Sequence, residues 1–209
     1  MRETNTRHTT EEVFLDAAER LLIEIGYARI TTRRLGEEAG ANHGLIHYYF
    51  GSMEQLFVRV LERYTERLIE RQRAMYAAPV PFRQKWRMAM RYLDADRESG
   101  YQKIWYELQA LAWNRPELRD RVARVRRQWS EVLNGAFTQA AEEYGLDTRQ
   151  FSGKALAVLV GTFNEGIMLE RLSGIYDGHA ELLAMIDSWL ESLEVAKIRR
   201  AESDESAIS

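Results

Sequence analysis

Catalysis and metal binding need nucleophiles, bases or ligands at set spacings, and this 209-residue chain offers few. It has no cysteine, which removes disulfides, thiolate metal sites and cysteine nucleophiles together. None of its four histidines, His8, His43, His47 and His179, has a Glu three residues before it, so the Glu-x-x-His pair of helical di-iron sites cannot form. HExxH, GxSxG and glycine-rich phosphate loops are also missing. Asp94 and Asp96 stand two residues apart and so point to different faces of a helix. The expectation is a protein that is not an enzyme and carries neither metal nor cofactor.

The chemistry that remains is polar recognition, concentrated in TTRRLGEEAGANHGLIHYYF between Thr31 and Phe50. With Thr32 as the first position, this run meets the demands of a helix-turn-helix. A small residue, Gly36, stands where two helices must cross, and Gly40 stands where the turn needs a left-handed backbone. Leu35, Ala39 and Ile46 supply the apolar wedge between the helices. Five constraints met together inside one short segment point to a nucleic-acid reader.

The elements that must hold this segment are helices. Only three prolines occur, Pro79, Pro81 and Pro116, with long stretches of Ala, Leu, Glu and Arg between them and no period-2 strand pattern. The first helix shows Val13, Phe14, Ala17, Ala18, Leu21, Leu22 and Ile25 on one face, with Thr10 as its N-cap and Gly26 as its stop. Thr31 or Thr32 opens a second helix and Asn42 a third. Ser52 and Gln55 form a capping box for a long fourth helix that ends before Pro79. Similar periodicity places a fifth helix around Trp86, a sixth around Trp105 and a seventh from Pro116 to Gly145. An eighth, capped by Asp147 or Thr148, runs to Gly174, and a ninth carries Leu182 to Leu193. The fold class expected is all-α with about nine helices: a helix-turn-helix domain over residues 1–50, an effector-binding and dimerisation domain over 51–200, and an unordered tail over 201–209. No apolar run is long enough to span a membrane, and the amino terminus lacks a secretory signal, so a cytoplasmic protein is expected.

The run from Phe14 to Phe57, AAERLLIEIGY, TTRRLGEEAGANHGLIHYYF and then GSMEQLF, resembles the amino-terminal domain of the tetracycline-repressor (TetR) family of bacterial transcriptional regulators. The likeness is strong over about the first 60 residues and architectural beyond them. It implies that Thr32 binds phosphate and Arg33 reaches a base edge. It also implies that Asn42, His43, Gly44, Leu45, His47 and Tyr48 contact DNA, and that the last two helices pair with a second copy. Two positions depart from the family pattern. His47 replaces a Tyr but keeps a hydrogen-bonding ring that can take a charge. Met53 replaces a phosphate-binding Lys, which shifts the load to Arg33, Arg34 and backbone N–H groups. Tyr48 should face outward and Tyr49 inward. Arg2 and Arg7 lie on an arm that either enters a minor groove or stays in water.

Residues 1–50 carry six Arg against eight acids, a balance that opposes DNA binding unless the acids of the first helix face elsewhere. All five Trp lie after residue 80. Trp86, Met90, Trp105, Trp113, Phe137, Phe163 and Met168 form either ordinary core or the walls of a cavity for the small apolar effector that the resemblance implies. Asn164 and Glu165 interrupt the apolar eighth helix as effector contacts or as dimer-interface polar groups. The eighth helix is apolar around its circumference, and Gly153, Ala157, Gly161 and Gly166 would let another helix approach closely. The six Arg between Arg115 and Arg127 read as a solvated face or, less simply, as an anion site. The function expected is a homodimeric, ligand-responsive regulator of a palindromic DNA operator, more a repressor than an activator. The rival is a ligand-independent helical dimer or protein-interaction adaptor with weak or lost DNA binding.

Overall fold

The computed structural model describes residues 9–208, with no side-chain detail beyond Ser203; the Arg2 and Arg7 arm lies outside the described residues. Among those residues there are nine α-helices and no strand. They are α1 (Thr10–Ile25), α2 (Thr32–Ala39), α3 (Leu45–Phe50), α4 (Met53–Ala77), α5 (Phe82–Glu98), α6 (Tyr101–Trp113), α7 (Pro116–Tyr144), α8 (Gly153–Leu172) and α9 (His179–Ile208). Pro116 opens α7 because its missing N–H is one that a helix start leaves unpaired anyway.

Several caps differ by a residue or more from expectation. The α1 cap is Thr9, whose hydroxyl accepts from Glu12 N–H while Glu12 reaches back to Thr9 N–H at 2.7 Å. Ser52 does accept from Gln55 N–H at 3.2 Å, yet the Gln55 side chain turns to Arg121, so only half of that capping box is seen. At α8 the cap is Ser152, because Asp147 folds a local turn with Arg149 instead. The chain past residue 200 stays helical to Ile208. Extending an existing helix needs no new nucleus, which offsets the low apolar content of the tail.

The chain divides into two compact units. One unit joins the described residues up to Leu68 with Asp96–Arg126; the other joins Ile69–Ala95 with the chain from Arg127 onward. In the first, α4 is tied to α1 by Arg63, which donates to Asp16 at 2.7 Å and Glu19 at 2.8 Å, and by Arg67 on Glu19 at 2.7 Å. The α6 helix grips the end of α1: Lys103 donates to the Ile23 carbonyl at 2.6 Å, and Glu107 accepts from Tyr27 N–H at 2.8 Å. These long-range pairs make α4 and α6 part of the reader's support.

The second unit packs Phe82, Trp86 and Ala89 of α5 against Ala136, Phe137, Ala140 and Tyr144 of α7, with Ala157 of α8 and Leu190 of α9. A cluster of charges closes one edge, where Arg83 and Arg87 both bond Asp187. Two guanidinium groups hold the Asp187 carboxyl far below the usual carboxylate range. Burial pushes the Tyr144 phenol up to about 12. On α8, Gly153 faces α7: a Cβ there would lie 2.8 Å from the Asn134 carbonyl oxygen. Gly153, Ala157 and Gly161 are buried and serve α8 packing inside one chain, whereas Gly166, the fourth small residue of the row, is exposed with open space beside it.

Candidate nucleic-acid interface

Local chemistry fixes the reader. Thr31 caps α2 by accepting from Arg34 N–H at 3.2 Å, and α2 ends at Gly40 in the left-handed region, φ 61°. Gly36 is buried at the crossing, where a Cβ would sit 2.8 Å from that of His43 and 3.0 Å from the Ala41 carbonyl oxygen. Leu35 and Ile46 are fully buried and Ala39 partly so. Asn42 does not cap α3 directly. Its side-chain oxygen accepts from Gly44 N–H at 2.9 Å and closes a turn, after which α3 opens at Leu45.

Ile46 faces inward, and Asn42, His43, Gly44, Leu45, His47 and Tyr48 are exposed around it. Tyr48 is the most open, at 79%. Tyr49, expected inside, is 42% exposed and stacks edge-on against Tyr48 with centroids 5.0 Å apart. One more residue along, Phe50 takes the inward place beside Phe14, because an i+4 step from Ile46 returns closer to the same face than i+3 does. His47 Nδ1 lies 2.9 Å from the Gly51 carbonyl, which can only accept. Nδ1 is thus the donor of this contact.

The acidic balance of this segment is largely absorbed by the fold. Asp16 and Glu19 are bonded to Arg63 and Arg67, and Glu38 to Arg20 at 2.9 Å. On the outer face of α2, Arg33 lies along Glu37 at 2.8 Å and is almost fully exposed, Arg34 is exposed, and Thr32 is partly covered in the first turn. The arrangement offers hydrogen-bond donors, acceptors and a phenol around one short helix, the inventory that reads base edges and phosphates.

Residues 14–60 match the family model of the bacterial regulatory proteins, tetR family. That segment is an amino-terminal domain of the tetR-family type. A relative from Vibrio cholerae serotype O1, nucleoid occlusion factor SlmA, is 24% identical over 160 residues, covering 74% of this chain and 81% of that protein. Among solved structures, a Rhodococcus sp. protein described as a TetR-family transcriptional regulator superposes with a TM-score of 0.69 at 23% identity, covering 86% of this chain and 97% of that one. The Bacillus subtilis regulator FadR, solved in complex with stearoyl-CoA, gives 0.63 at 22%, covering 87% and 96%.

The residues expected to line an effector site fall in both units. Trp86 and Phe163 stack with centroids 6.3 Å apart, Met90 packs on the same cluster, and Phe137 and Met168 are buried. Trp105 and Trp113 belong to the first unit, where Trp105 is buried and Trp113 is 65% exposed. In the second unit Met90, Leu93, Phe163, Asn164, Ile167 and Leu183 line a small pocket beside the Arg171–Asp94 ion pair, with room for about 10 Å³, one water-sized sphere. The Asn164 side-chain oxygen and Arg171 Nε are buried there without partners. Glu165 is partly buried. Along the outside of α8, Ser152, Ala155, Val158, Leu159 and Thr162 form an open groove, with Val158 57% and Leu159 64% exposed. No helix among the described residues is long and apolar enough to cross a membrane, and no three acidic or histidine side chains among them gather to hold a metal ion.

Proposed function

We propose that two copies of this chain bind a palindromic DNA operator as a cytoplasmic transcriptional repressor and that a small apolar effector releases them. The observation that carries this reading is the ring of exposed polar and aromatic side chains, Asn42 to Tyr48, displayed around a buried Ile46. Thr32, Arg33 and Arg34 flank it and supply the phosphate and base-edge donors. The protein is read as a DNA-binding part over residues 1–50 followed by an effector-binding and dimerisation part. Dimerisation is supported by the apolar faces of α8 and α9, where Val158, Leu159, Leu169, Met185 and Trp189 are exposed. A two-fold axis would set two recognition helices about 34 Å apart, one turn of duplex DNA.

An apolar effector is supported by the aromatic and methionine lining around Trp86, Met90 and Phe163, with Asn164 and Arg171 as its polar points. The structural neighbour FadR was solved with stearoyl-CoA, whose long acyl chain is of that class. Because the pocket is nearly closed, entry requires side chains such as Phe163 or Leu183 to swing aside. We infer that this motion is passed to α4 and changes the separation of the recognition helices. Reciprocal linkage then requires DNA to weaken effector binding by the same factor.

A mobility-shift titration on the DNA upstream of its own gene tests the reading. Arg33→Ala should weaken that complex on the order of 10-fold or more, the cost of losing one base-edge contact. The dimer should survive, as followed by sedimentation. Absence of any salt-sensitive, sequence-selective shift by the wild-type protein favours the adaptor; loss of the dimer in the variant means Arg33 has another role.

A further inference from the structure

The basic run from Arg115 to Arg127 is not absorbed by the reader or the effector pocket, and the fold separates its members. Arg121 makes a paired contact with Glu62 at 2.8 and 2.6 Å and also bonds Gln55. Arg119 is turned onto the last carbonyls of α6, Trp113 at 2.9 Å and Ala112 at 3.4 Å. These two cations are occupied in holding α7 and α6. Arg115 is different. It stands one residue before α7, its side chain is 53% exposed, and its nearest carboxylate is Glu54 at 3.8 Å, too long for a hydrogen bond.

Glu54 is the second residue of α4, four positions after the end of the recognition helix at Phe50. Contacts of Arg115 and Arg121 to Glu54, Gln55 and Glu62 therefore lay the start of α7 along the start of α4, beside the reader's edge. Met53, the neighbour of Glu54, brings no charge there. A single exposed Coulombic contact at that distance is weak and is screened further by salt. A DNA phosphate, with a full charge and oxygens that accept a guanidinium's paired donors, competes with it readily.

We propose that Arg115, outside the helix-turn-helix, is a DNA-backbone contact that supplies a cation at the start of α4. The inference rests on the reading that α3 engages DNA. Glu54 holds the guanidinium in place when DNA is absent and gives it up when a phosphate arrives. A contact to phosphate carries no sequence information, so it should strengthen every duplex equally.

Binding is measured to the duplex upstream of its own gene and to an unrelated duplex of the same length, across a salt series. Arg115→Gln is expected to make the slope of log K against log salt shallower by about 0.9 for each bound protomer. It should weaken both duplexes by the same factor, leaving their ratio unchanged. Arg115→Lys keeps the slope, and Glu54→Gln tightens binding to both. Circular dichroism and sedimentation confirm that each variant is folded and of unchanged oligomeric state. An unaltered slope in Arg115→Gln alongside a weakened Arg33→Ala overturns the assignment and leaves the DNA reading intact. A loss confined to the upstream duplex also overturns it, since that would make Arg115 a base reader. If the wild-type protein binds neither duplex, the DNA reading itself fails.

Discussion

At the scale of single residues, the reader depends on what its glycines leave out. Gly36 is helical, so any residue could adopt its backbone; what excludes a side chain is the His43 Cβ and the Ala41 carbonyl across the crossing. A rigid turn holds both, and neither is the tip of a flexible side chain. Gly36→Ala is expected to destabilise the first unit by about 1–3 kcal/mol, the usual cost of overpacking a close contact. Thermal unfolding would show it, and hydrogen exchange should place the loosening in α2 and α3. An unchanged melting temperature would mean that α2 and α3 separate at little cost. Tyr49 carries a different lesson. Its spacing from Ile46 marked it as core, but a six-residue helix buries a narrow face, and Phe50 occupies the adjoining inward position.

At the scale of elements, the second unit joins α5 to α9 through one carboxylate serving two guanidinium groups. Asp187 has its folded-state pKa lowered by hydrogen bonds from Arg87 and Arg83. A lowered carboxylate pKa contributes stability that is present above the unfolded value of 3.8 and lost as pH falls through the folded value. The melting temperature of the wild-type protein should therefore exceed that of Asp187→Asn at neutral pH, and the gap should close as the pH drops below the unfolded value. A gap independent of pH would show that Asp187 acts through packing and not through its charge. The cluster is exposed on one side, so the effect should also shrink with added salt.

At the scale of the whole molecule, a row of apolar side chains on α8 and α9 is left without cover among the described residues. Exposed Val158, Leu159 and Leu169 on one helix and Met185 and Trp189 on the next exceed the scattered apolar exposure that needs no explanation. In the dimer proposed above, a second copy meeting the same face would bury both rows under two-fold symmetry. Leu159→Arg should convert the dimer to monomer in sedimentation while leaving helix content unchanged. Affinity for a palindromic duplex should fall with it, because each half-site is then bound alone. A variant that remains dimeric would move the interface off this face.

The sequence alone determined the helices, because a 3.6-residue apolar period, a small set of capping residues and three prolines act locally and leave little choice. It also determined the reader, since Gly36, Gly40, Leu35 and Ile46 are near neighbours whose spacing is itself the geometry. Pairings across distance were not legible there. That Arg63 and Arg67 absorb Asp16 and Glu19, that Lys103 and Glu107 clasp the end of α1, and that Arg115 stands beside Glu54 joins residues tens of positions apart. A string of charges looks alike whether solvated or paired. Only the packing of α4 against α1 and α7 decides which of them are spent, and so which remain for a partner.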